Sequence, residues 1–128
     1  MILGITGTRK DITEEQRLAF HSCMEHNDIT ELHHGGCKGA DIHIAYETNR
    51  VYPKINVIEH LPKHKESKFF LQRNRDIVNI CDVLWAFPSS NEEEKRSGTW
   101  ATIRYAKKKH KPTRMFYPDG SLSMRVYT

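Results

Sequence analysis

The chain has 128 residues, 38% apolar and 28% charged, with a formal net charge of +4. A chain of that length suits one domain spanning residues 1–128, burying about two-thirds of its unfolded surface on folding, so a fused sensor and effector are not expected. The composition is globular rather than disordered, no apolar run approaches a membrane span, and the slight cationic excess favours anionic ligands without singling out nucleic acid.

Met1-Ile2-Leu3-Gly4-Ile5 starts an apolar strand at once, without the basic start and apolar core of a signal peptide, so the expected location is cytoplasmic. Cys23, Cys37 and Cys81 are scattered without paired spacing, which argues for reduced thiols and against a disulfide framework or a CxxC metal site. The first strand is read over Ile2 to Thr6. After Gly7-Thr8-Arg9-Lys10-Asp11-Ile12, Thr13 with Gln16 forms a capping box for a helix whose apolar face includes Leu18, Phe20, Cys23 and Met24 and which ends near Asn27-Asp28. A second strand, about Ile29 to His33, runs into Gly35-Gly36-Cys37-Lys38-Gly39; a helix opening at Ala40 or Asp41 follows, with Ile42, Ala45, Tyr46 and Asn49 at helical spacing.

A third strand spans Ile55 to Ile58, and His60 to Ser67 reads as a polar loop. The next helix, Ser67 to Ile80, is expected to turn Phe70, Ile77 and Ile80 inward. Val83-Leu84-Trp85-Ala86-Phe87 is the continuous apolar run of a central strand covered on both faces. Pro88 stops it, Ser89 to Arg96 reads as a mobile loop, and Ser97-Gly98-Thr99 opens a fourth helix, Trp100 to Lys109. Arg114 to Tyr117 is a fifth strand closed by Pro118-Asp119-Gly120, and the last eight residues make at most a short edge strand. This alternation implies the α/β class: a Rossmann-like three-layer sandwich around an open, mainly parallel five-stranded sheet. Its ligand site is expected beyond the carboxyl ends of strands one, two and four.

Those three strand ends carry the same kind of sequence. Gly7-Thr8-Arg9, Gly35-Gly36-Cys37-Lys38-Gly39 and Arg96-Ser97-Gly98-Thr99 each combine backbone N–H groups, room for close approach, a cation and the positive end of a helix. One such loop is more often only a tight turn, but three along one sheet edge point to phosphate. None matches GxxxxGK[ST] or GxGxxG, which disfavours a nucleoside triphosphatase or a dinucleotide dehydrogenase, and no cofactor is implied. Arg73 and Arg75 diverge by about 200° on their helix, so the two cannot face one ligand in the same way and one of them is expected to reach the site, the other reading being a solvated face or a salt bridge to Glu66 or Asp76.

At this point a resemblance becomes specific. Arg73-Asn74-Arg75-Asp76-Ile77-Val78, then Asp82 to Pro88, then Arg96-Ser97-Gly98-Thr99-Trp100-Ala101-Thr102 and Ala106 resemble the RNRxIv…SGTxxT…A core of the SLOG superfamily, which joins the Smf/DprA DNA-processing proteins and the LOG nucleotide phosphoribohydrolases. Gly7-Thr8-Arg9 resembles the superfamily's first loop, and the stretch from His34 to His43 its SGGARGxDxxAH element. The resemblance implies a Rossmann-like fold binding a nucleotide or nucleotide-derived small molecule, in a site that a homo-oligomer completes. By position it implies ligand contacts at Gly7, Thr8, Arg9, His34, Gly35, Gly36, Lys38, Asp41, Arg73, Arg96, Ser97, Gly98, Thr99 and Trp100. It also exposes a departure: the hydrolases' catalytic glutamate falls at Thr102 here, and their Gly-Gly after the strand is replaced by a longer stretch.

Other readings remain beside these. Glu92, Glu93 and Glu94 are either a solvated run or a loop that folds over the ligand to supply the missing acid/base; Asp41 and His43 contact a ribose hydroxyl or orient their loop; Trp100 stacks on a base or packs its helix. His33 and His34 lack a third ligand at convincing spacing, so a metal is not expected. Arg104, Lys107, Lys108, Lys109 and Lys111 cluster near a helix C-terminus, where cations are favoured locally, and no aromatic interleaves them as a single-strand channel requires. The sequence is therefore compatible with three functions: a sensor or sequestering protein for an ADP-ribose-like or cyclic nucleotide ligand, an N-glycosidic hydrolase with a non-standard acid/base, and a DNA-processing type of single-stranded DNA binding.

Overall fold

The computed structural model describes residues 1–127. Ten elements follow one another: β1 Ile2–Gly7, α1 Glu14–Glu25, β2 Glu31–His34, α2 Ala40–Val51, β3 Asn56–Glu59, α3 Ser67–Ile80, β4 Val83–Phe87, α4 Gly98–Lys108, β5 Thr113–Phe116 and β6 Leu122–Arg125. They build one sheet in the order β3-β2-β1-β4-β5-β6. The pairings among β1 to β5 are all parallel, and β6 joins β5 antiparallel. The doubly wound α/β class stands as the alternation predicts, with six strands where five main ones are expected. The sixth is set by its turn: Asp119 Oδ1 accepts from Ser121 N at 2.9 Å and Ser121 Oγ at 2.6 Å. The turn pins the register Phe116↔Leu122.

The core lies on both faces of the two central strands, and every residue of β4 is buried. Against one face pack Phe20 of α1 and Ile44 of α2, with Phe87 and Phe116 stacked at 4.5 Å between ring centroids. Against the other, α3 and α4 supply Val78, Trp100, Ile103 and Ala106. The Thr13–Gln16 capping box forms as read, and Gln16 Nε2 donates on to Phe116 O at 2.8 Å and Pro88 O at 3.0 Å, tying α1 to the ends of β4 and β5.

Four apolar positions depart from the expectation. Leu18, Ile42, Tyr46 and Ile80 are exposed. On α2 the buried stripe is Ala40, Ile44, Ala45 and Thr48, whose smaller first members let the helix approach β1; the bulkier Ile42 and Tyr46 then face outward. On α1 the buried set is Gln16, Phe20, Cys23 and Met24, leaving Leu18 off the face. At the end of α3, Cys81 takes the inward position that Ile80 was expected to hold. Among the described residues no helix is long and apolar enough to cross a membrane.

Candidate functional site

The chain winds outward from β1 through β2 to β3 and then returns to the far side of β1 with β4. The carboxyl ends of β1 and β4 therefore flank the point where strand order reverses, the place where open α/β sheets leave a crevice. A cleft of about 520 Å³ opens there. Its walls come from the β1–α1 loop, the β4–α4 loop, the start of α2 and one face of α3.

Close approach of backbone builds this edge. Thr8 N donates to Phe87 O at 2.9 Å, linking the ends of β1 and β4, and Ala40 N donates to Thr8 O at 3.0 Å, seating α2 on the first loop. A Cβ at Gly7 would lie 2.4 Å from Ala40 Cβ, so only glycine lets α2 start here. Gly39 holds φ at +99°, and its missing Cβ would meet the Arg9 carbonyl oxygen at 2.5 Å. The first and second loops are thus packed together as one structure.

α4 points its N-terminus into the cleft. Ser97 is its N-cap, with Oγ accepting from Trp100 N at 3.3 Å. The amides of the first turn have no carbonyl partner inside a helix, and with the helix dipole they make an anion-ready terminus. A Cβ at Gly98 would meet nothing within 4 Å, so the wall is open there. Arg9 and Arg96 also line the cleft and are exposed, and among the described residues neither is paired with a carboxylate. Glu94 is an exposed opposing charge on the wall, its carboxylate accepting from Ser90 Oγ at 3.1 Å.

Two charged groups at the site are buried. Arg73 is 3% exposed: Nη1 donates to Gly35 O at 2.6 Å and His60 O at 3.2 Å, Nη2 to Cys37 Sγ at 3.2 Å, and Nε to Asn74 Oδ1 at 2.9 Å. Its donors thus brace the second glycine loop even though the side chain borders the cleft. Asp41 is 5% exposed, and its Oδ2 accepts from Gly35 N at 3.0 Å and Cys37 N at 3.4 Å while Oδ1 has no partner. Burial pushes its carboxyl up to about 6, against the opposing pull of the Gly35 and Cys37 N–H groups and of Arg73.

Of the residues expected to touch ligand, nine line the cleft: Gly7, Thr8, Arg9, Asp41, Arg73, Arg96, Ser97, Gly98 and Thr99. The other five lie elsewhere. His34 is buried beneath the second loop, its imidazole held below the ordinary range chiefly by burial, and its Nδ1 accepts from Gly36 N at 2.9 Å. Gly35 and Gly36 form the braced turn itself. Lys38 lies on a neighbouring groove of about 500 Å³ with Arg9, Asp11, Ile42, His43 and Tyr46. Trp100 is 2% exposed and packs with Ala86, Ile103 and Met115, so it fills the core under α4 rather than facing the cleft.

Thr102, at the position of the hydrolases' glutamate, is buried and donates from Oγ1 to Gly98 O at 2.9 Å. Glu93 is turned away to Arg104, 3.6 Å distant. His33 Nδ1 and His60 Nε2 meet at 2.8 Å, with His33 Nε2 2.8 Å from Glu31 Oε1. Among the described residues no group of three or more His, Cys, Asp or Glu side chains is arranged to hold a metal ion. Phe70, Leu71 and Asn74 of α3 and Cys37 also line the cleft. The spacing of Phe70, Arg73 and Asn74, three and four residues apart, is the sequence signal that α3 offers the site a whole face.

Fold and site together define a Rossmann-like α/β protein with an anion-ready cleft at the switch point of its sheet. No family model and no curated protein matches the sequence. Among solved structures, the chain is similar to DNA processing protein A from Helicobacter pylori, a protein described by its single-stranded DNA binding mode. The TM-score is 0.66 at 19% identity, over 90% of this chain and 64% of that one. The expected likeness to the Smf/DprA group is met at the level of fold, and this chain spans less than two thirds of that protein.

Proposed function

We propose that the cleft binds a phosphorylated, nucleotide-derived ligand, of the ADP-ribose or cyclic-nucleotide kind, and that the protein acts as a sensor or sequestering protein for it. The observation that carries this reading is the N-terminus of α4, which opens at the switch point on a cleft that Arg9 and Arg96 also line, neither of them paired with a carboxylate among the described residues. A phosphate there accepts from the first-turn amides and the Thr99 hydroxyl while the arginines supply charge. Cleavage by the hydrolases' route has no support at Thr102, whose hydroxyl is bonded to Gly98 within its own helix. The test is calorimetry with nucleoside monophosphates, cyclic nucleotides and ADP-ribose. We expect saturable binding, intact ligand on recovery, and about tenfold or greater weakening for each of Arg9→Ala and Thr99→Ala, since each removes a charge-assisted bond. Unchanged affinity in both variants refutes the phosphate assignment.

Single-stranded DNA is a second reading with its own observation. The groove beside the cleft shares Arg9 with it and is lined as well by Lys38 and by Tyr46, which is 64% exposed. An aromatic face between cations is what a strand needs to stack a base while its backbone is neutralised. The fold's similarity to a single-stranded DNA-binding protein supports the same reading.

A further inference from the structure

Among the described residues Asp41 is the one cleft-lining carboxylate that is more than nine-tenths buried, and its two oxygens are treated differently by the fold. Oδ2 is saturated by the Gly35 and Cys37 amides, which fixes the side chain's position. Oδ1 has no hydrogen-bond partner. Leaving a buried charged acceptor unmade is costly, and Asp41 lines the same cleft as the α4 N-terminus, so a donor brought in by a ligand would satisfy it. The donor must belong to a molecule whose anionic group sits at Ser97, Gly98 and Thr99. Phosphate oxygens cannot donate when ionised, and a carboxylate repels them. A hydroxyl on the carbon skeleton next to the phosphate meets both demands.

We propose that Asp41 accepts a hydrogen bond from a ribose hydroxyl of the ligand through Oδ1, making the cleft selective for ribonucleotides over their deoxy counterparts. This deepens the phosphate reading and rests on it. Oδ1 itself is buried, so the bond requires the cleft wall around it to open far enough to admit a hydroxyl. The neighbouring Arg73 holds the carboxyl's loop in place from α3 and is not itself the reader. Asp41→Asn keeps an oxygen for the two amides and puts an NH₂ where Oδ1 stood, turning acceptor into donor.

The experiment compares adenosine, guanosine, cytidine and uridine 5′-monophosphates with their 2′-deoxy and 3′-deoxy forms by calorimetry on the wild-type chain, then repeats the best binder with Asp41→Asn. The expected result is about tenfold or greater loss for at least one deoxy form on the wild type, the cost of an unmet bond to a charged group. The same discrimination should vanish in Asp41→Asn while binding of the deoxy form persists. Equal binding of ribo and deoxy forms, with Thr99→Ala weakening both, overturns the role of Asp41 and leaves the phosphate site standing. Binding of no nucleotide overturns the phosphate reading itself. The wild-type comparison decides the matter even where the variant does not fold.

Discussion

The carboxyl of Asp41 is raised by burial from 3.8 to about 6, although the Gly35 and Cys37 amides and Arg73 all favour its charged form. Between those values the folded chain holds this proton more tightly than the unfolded one. The group's contribution is therefore fully present below the unfolded value and lost as pH rises through the folded one, a change of about 3 kcal/mol. Asp41→Asn removes the titration. Denaturant unfolding of both proteins at several pH values from 4 to 7 should show the wild type losing up to about 3 kcal/mol relative to the variant as pH rises. A difference that is flat, or that grows with the opposite sign, contradicts the burial of an ionising group here. At this scale the sequence was legible for position more than for role. Gly7 and Asp41 line the cleft while Gly35 and Gly36 form the braced turn outside it, and spacing does not say which donors a fold engages. Arg73 reads as a ligand-facing cation until Gly35 O, His60 O and Cys37 Sγ are seen around its guanidinium. Trp100 reads evenly as stacker or filler until the core closes over it.

The element that matters most is α4. Its first residue, Gly98, has a helical place, and a Cβ there would meet nothing, so Gly98→Ala introduces no clash. The exchange should leave stability unchanged or raise it by up to about 1 kcal/mol, because alanine is the better helix former. The added methyl group projects toward open space on the cleft wall, so phosphate should be displaced from the first-turn amides and affinity should fall about tenfold or more. Thermal unfolding and calorimetry on the same preparation separate the two effects, and lost stability with intact binding would contradict the placement. Elements were the most legible level. α3 runs from Ser67 to Ile80 as read, and the Thr13 capping box marks the start of α1. Ile42 and Tyr46 recur at helical spacing and yet are exposed, because α2 carries two apolar stripes and helical spacing alone does not rank them. The choice is made by the close approach at Gly7, which admits Ala40 and excludes larger residues.

Across the whole molecule the 20 Lys and Arg residues divide by the company they keep. Arg17 and Arg50 pair with the buried Glu47 at 3.3 and 2.8 Å, Lys109 lies over Tyr105, and Lys111 donates to Cys81 O. The lysines at positions 107 and 108 sit in the last turn of α4. An 11-residue helix puts that turn about 15 Å from the N-terminus that faces the cleft, beyond a Debye length at physiological salt. Arg9 and Arg96 are at the cleft, and Lys38 stands on the adjoining groove. Lys107→Ala with Lys108→Ala should therefore leave nucleotide affinity within about twofold, at a cost only to the helix C-terminus, while Arg9→Ala or Arg96→Ala weakens it. Salt then tells a small ligand from a strand. A strand crossing both cleft and groove neutralises several phosphates, and log affinity falls against log salt by about 0.7 for each one on single-stranded nucleic acid. Lys38→Ala should flatten that slope by about one phosphate's worth for an oligodeoxynucleotide and leave a mononucleotide's unchanged. A shallow slope for the oligonucleotide, insensitive to Lys38, would confine binding to the cleft and leave Tyr46 without a base to stack on.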